Sequence, residues 1–116
     1  MRYMFLIYSR EEADADPAAL RQVAERHRAL MQETTARGVF HAGEPLASSQ
    51  TATTVRYQDG EAMITDGPFA ETKEQLAGYY ILDCENLDEA IEWAKKIPTG
   101  CYGGEGCVEV RPMRSI

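Results

Sequence analysis

A chain of 116 residues, 44% hydrophobic and 27% charged, is the size of one domain and too short for two independent cores, so residues 1–116 read as a single domain. Its 19 acidic residues outnumber 12 Lys and Arg and leave a formal charge of −7, which argues against direct nucleic-acid binding, because phosphate recognition needs a clustered basic face. No apolar run approaches a bilayer span and the N-terminus lacks a leader-like apolar stretch, so the expected location is the cytoplasm, with no membrane partner.

Tyr3 to Tyr8 is a near-continuous apolar run bounded by Ser9-Arg10-Glu11-Glu12. It is too short for a helix and predicts a strand buried on both faces, in the middle of a sheet. Asp14 and Asp16 precede Pro17, the pattern of an acidic N-cap with Pro at the first helical position. From there Leu20, Val23, Ala24, His27, Leu30, Met31 and Thr34 recur at offsets of three and four, which predicts an amphipathic helix ended by Gly38. Val39 to Leu46 and Thr51 to Tyr57 predict two strands. Asp59-Gly60 then marks a hairpin whose return strand carries Ala62, Met63 and Ile64.

Asp66-Gly67-Pro68 reads as a turn, since Gly supplies positive φ and Pro fixes its own. Phe69 is then expected to plug an apolar gap. Ala77 to Cys84 predicts a further strand, and Asn86 with Glu89 resembles a capping box. The second helix places Leu87, Ala90, Ile91, Ala94 and Ile97 on its apolar face, with Trp93 at the margin and Pro98 as the stop. Cys101 and Cys107 flank a glycine-rich connection and read as two free thiols, a redox pair being the alternative. Val108 and Val110 alternate with Glu109 and Arg111 in a last strand before Pro112.

This order gives an α+β, ferredoxin-like split βαβ sandwich with a central hairpin insertion. Two helices can cover only one face of such a sheet. Face-to-face packing of two copies would cover the other, so a homodimer with a dimeric α+β barrel is expected.

Among residues that carry chemistry, His27 stands out because it occupies the apolar stripe of the first helix, where an ordinary core prefers Leu or Met. Beside a carboxylate it would act as a general acid or base near neutral pH; otherwise it is a core-edge histidine bonded to a carbonyl. Asp66 is the expected carboxylate, with Glu44 and Glu71 in reserve; an Asp in such a turn also bonds backbone amides. Lys73 could hold an anion or guard an edge strand. Tyr8 and Tyr80 could orient a small ligand, and Glu44, Phe69 and Glu71 complete the candidate ligand-binding set with Lys73. His27 and His41 lack acids at ligand spacing, so no metal site is expected. The glycines near residue 104 lack the Lys-Ser or Lys-Thr of a phosphate loop, and neither a nucleophile elbow nor a dinucleotide fingerprint is present, so no cofactor is expected.

Asp66-Gly67-Pro68-Phe69, followed by Glu71-Thr72-Lys73-Glu74 and Gly78-Tyr79-Tyr80, resembles the DGPF branch of the YCII-related family. The likeness runs from Arg2-Tyr3-Met4 to Val108-Glu109-Val110-Arg111-Pro112. In the wider family a helix histidine, followed eleven residues later by Gly and then by an Ala-Gly strand, is the proposed catalytic residue, paired with an aspartate. His27, Gly38 and Ala42-Gly43 fall into that pattern, whereas Thr34-Thr35-Ala36-Arg37 at the helix end supplies no acid. The resemblance therefore implies an acid–base enzyme acting on a small molecule, with Asp66 as the replacement partner, in a cleft near the dimer interface. It also implies a context with extracytoplasmic-function sigma factors. The competing expectation is a non-catalytic ligand-binding or regulatory module on the same scaffold.

Overall fold

Alternation along the first strand decides how the rest of the chain is arranged. In a computed structural model that describes residues 1–12, 14–100 and 105–115, β1 (Arg2–Ser9) buries Tyr3, Phe5, Ile7 and Ser9, while Met4, Leu6 and Tyr8 on its other face stay half-exposed. The expectation of a strand buried on both faces is corrected accordingly: both helices pack on one side, and among the described residues the other side stays half-exposed. β1 is nevertheless central, hydrogen-bonded antiparallel to β5 (Gln75–Asp83) and to β6 (Cys107–Pro112). Outside β5 lies β2 (Phe40–Pro45), giving the order β2-β5-β1-β6. The register shifts between Phe40 and Ala42, which leaves exposed His41 at an irregularity.

Helix α1 (Pro17–Ala36) starts as predicted, with the Asp16 side chain accepting from the Ala18 N–H and Pro17 at the first position. Its apolar stripe is only partly used. Leu30 and Thr34 are fully buried near its C-terminal end, whereas Leu20 is 46% exposed, so the N-terminal half stands off the sheet. Helix α2 (Leu87–Ala94) is capped by Asn86, whose side chain accepts from the Glu89 N–H at 2.9 Å. The predicted face is rotated: Ala90, Trp93 and Ile97 are buried and Leu87 and Ile91 are exposed. Trp93 takes the centre because its indole is also covered by Arg37 and Lys96, whose charged ends lie 5.6 and 5.0 Å from the ring. Leu30, Ala90, Trp93 and Ile97 join Tyr3, Phe5, Tyr80 and Leu82 in one core, which sets both helices on the same sheet face. The architecture is α+β, antiparallel and consistent with a ferredoxin-like fold. No described helix is long and apolar enough to cross a membrane.

β3 (Thr53–Gln58) and β4 (Glu61–Asp66) form a separate two-stranded sheet. Asp59 and Gly60 both take positive φ, 52° and 81°, as a tight hairpin turn requires. The arm is fastened at its base, where the Gly67 N–H donates to the Ala52 carbonyl and the Thr54 hydroxyl donates to the Gly67 carbonyl, each at 2.7 Å. Its outer part is exposed, including Val55, Tyr57 and Ile64, and the subunit is a slab 46 × 42 × 18 Å.

Candidate functional site

Because the first half of α1 stands away from the sheet, a cleft of about 980 Å³ opens between them. Leu20, Val23 and Ala24 of α1 face Ile7 and Ser9 of β1 and Gly43 of β2 across it. His27 and Tyr80 meet at its floor. Tyr80 lies on β5 directly opposite Gly43 and Phe5 in the register. A Cβ at position 43 would come within 2.7 Å of Tyr80 Cδ1, so the bare glycine makes room for the ring. The Tyr80 hydroxyl lies 2.7 Å from His27 Nδ1, with the two rings 21° from parallel and 5.9 Å between centroids.

Burial holds the His27 imidazole below its ordinary pKa, and the neighbouring Arg26 guanidinium pushes it further down. Burial pushes the Tyr80 phenol up to about 12. At neutral pH the pair is therefore an uncharged imidazole against a protonated phenol. If the phenol donates to Nδ1, Nε2 carries the hydrogen and can give it; if Nδ1–H donates to the phenol oxygen, Nε2 is free to accept a proton. Either way Tyr80 holds the ring through Nδ1, and Nε2 is the nitrogen it leaves unengaged.

The rim is built differently. Arg10, Glu11, Glu12 and Arg28 line the cleft from exposed positions. Glu11 accepts from the Ser49 N–H at 2.7 Å, from the Ser49 hydroxyl at 2.9 Å and from the Ser48 hydroxyl at 3.3 Å. These bonds, the backbone one foremost, hold its carboxyl below the ordinary range, and they tie the segment after β1 to the segment after β2.

The candidate residues separate into three groups. His27, Tyr80 and Glu44 line the cleft just described. Glu44, however, pairs with Tyr79, so strand alternation sets its side chain on the sheet face opposite Tyr80. Tyr8, Phe69 and Lys73 line a second cleft of about 1210 Å³ beside the loop after β4, which shares Arg10 and Ser48 with the first. Asp66, at the end of β4, and Glu71 are exposed and line neither. Within one subunit the Nδ1 partner of His27 is thus Tyr80 and not Asp66. Phe69 does not plug a gap: it is 78% exposed, because the Gly67-Pro68 turn carries the loop outward and the ring lies on the wall of the second cleft.

Cys84 is buried and its thiol is pushed up to about 11, chiefly by burial, which makes it a poor nucleophile. Cys107 is exposed, and Cys101 lies outside the described residues, as does the redox pair read from it. Among the described residues no three His, Cys, Asp or Glu side chains converge as a metal ion requires. Two features escaped the sequence. Tyr80 as the partner of His27 depends on strand register and helix placement, and the Glu11 clasp joins residues 38 apart through an exposed loop.

Residues 1–116 match the YCII-related domain. The chain belongs to the YCII-related domain family. An uncharacterized protein of Rhizobium meliloti (strain 1021) is 46% identical to it over 68 residues, a stretch covering 59% of this chain and 54% of that protein. The match thus spans about half the relative's length. In this YCII-related chain the residues on which the likeness rests have physical tasks: Gly38, at φ 73°, ends α1, and Gly43 clears the space that Tyr80 fills beside His27.

Proposed function

We propose that this YCII-related protein is a small-molecule enzyme in which His27 takes or gives a proton at Nε2 while Tyr80 holds the ring from Nδ1. The observation that carries this reading is the 2.7 Å contact between His27 Nδ1 and the Tyr80 hydroxyl at the floor of a cleft of about 980 Å³. A neutral imidazole, fixed by one nitrogen and open at the other, is what general acid–base chemistry asks of a histidine.

The reading includes a homodimer of the DGPF branch, closed as an α+β barrel through the face of β1 and β5 that bears half-exposed Met4, Leu6, Tyr79 and Ile81. In such a dimer Phe69 and Lys73, which share a cleft with Tyr8 of that face, line the seam.

Proton exchange tests the chemistry directly. Carbonyl compounds that bind the protein are incubated with it in D2O, and deuterium uptake beside the carbonyl is followed by mass spectrometry. Catalysed uptake by the native protein, falling about 100-fold or more in His27→Ala, supports proton transfer. Uptake that His27→Ala leaves intact, or none above the uncatalysed rate, overturns it. The second reading then stands: a non-catalytic ligand-binding or regulatory module, working with an extracytoplasmic-function sigma factor. It is favoured by a cleft floor whose two polar rings already satisfy each other.

A further inference from the structure

The distribution of charge inside the His27 cleft points to what it can hold. Among the described residues, Ser9, His27 and Tyr80 are the polar side chains at the floor, and all three are uncharged at neutral pH. Every Arg and Glu that lines the cleft is exposed. Arg10 and Arg28 stand there with Glu11 and Glu12, so the rim is mixed in sign, and the Glu11 carboxylate is already occupied by Ser48 and Ser49. Between floor and rim the walls are apolar, with Leu20, Val23 and Met31 on the helix side and Ile7 and Pro45 on the sheet side.

A carboxylate or ammonium brought to the floor would lose its water and meet no opposite charge. Burying a charge unpaired is strongly unfavourable, and apolar walls supply nothing that offsets it. A hydroxyl or carbonyl oxygen loses far less and finds partners there: His27 Nε2 as donor or acceptor, and the Ser9 hydroxyl. The open space is at the upper end of what drug-sized molecules fill.

We propose that the His27 cleft binds an uncharged small molecule with an apolar body and one hydroxyl or carbonyl function, seated with that oxygen toward His27. This rests on the reading of the cleft as the functional site but not on proton transfer. Its occupant reacts, if the enzyme reading holds, beside that oxygen.

Four probes of one shape decide it: cyclohexanone, cyclohexanol, cyclohexanecarboxylate and cyclohexylammonium, titrated into the protein while the His27 ring nitrogens are followed by NMR. The ketone and the alcohol are expected to shift the ring signals with millimolar affinity, as befits so few atoms, and the charged pair to bind at least about 10-fold more weakly. Val23→Trp, on the half-exposed wall, fills the space and is expected to abolish the shift with the circular dichroism unchanged. Charged probes that bind as well as the neutral ones, no shift from any probe, or a neutral-probe shift that survives Val23→Trp each overturns the proposal. Neutral probes that bind without deuterium exchange would leave this inference standing and remove the acid–base one, so the two failures are distinguishable.

Discussion

Burial holds the His27 imidazole below its ordinary pKa, and that has a measurable cost. The folded chain keeps the imidazole neutral in a range where the unfolded chain, with an ordinary value near 6.5, takes up a proton. The unfolded state therefore binds more protons in that window, so stability rises with pH through it and is lost as pH falls below about 6.5. Urea midpoints measured at about pH 7.5 and about pH 5 should drop on acidification, and His27→Gln should flatten the difference. Tyr80→Phe keeps the ring packing but leaves Nδ1 without its partner, for an expected loss of about 1 kcal/mol in urea unfolding and a changed pH titration of the His27 ring by NMR. Gly43→Ala adds a methyl 2.7 Å from Tyr80 Cδ1, so the ring must move. The expected cost is about 1–3 kcal/mol, accompanied by the same change in the His27 titration.

Elements defined by short-range chemistry follow the sequence closely. Pro17 after Asp16, Asp59-Gly60 and Asn86 with Glu89 each fix a boundary through bonds or dihedrals spanning at most four residues, and each appears where those rules set it. Asn86→Ala should accordingly cost about 1 kcal/mol by thermal or urea unfolding, because the Glu89 N–H loses its acceptor. What the sequence concealed depends on docking. The face of α2 turns on Trp93 because Arg37 and Lys96, from outside the predicted stripe, cover the indole. The candidate site was legible as single residues and not as an arrangement: His27 was visible from helical period alone, but its phenol partner required the register of β5 against β2 and the lateral offset of α1. The outward path of Phe69 is hidden for a related reason, since an apolar residue after a turn carries no mark of which side the turn sends it.

At the scale of the whole subunit, a slab 18 Å thick, one broad face of the main sheet carries half-exposed Met4, Leu6, Tyr79 and Ile81. If a second copy covers it, Tyr79→Glu should convert a dimer into a folded monomer in sedimentation velocity, with circular dichroism unchanged; a monomeric native protein at high concentration would contradict the proposed barrel. The strand order β2-β5-β1-β6 also has a temporal side. β1 is synthesised before both of its neighbours, which begin at residues 75 and 107, so it waits for them while the intervening residues are made. During that wait Tyr3, Phe5 and Ile7 have no strand to pair with, and a nascent chain halted at Gly100 would still lack one whole side of the ladder. Stalled translation is then a circumstance in which this protein should aggregate, and chaperone capture of the growing polypeptide should concentrate on the β1 segment.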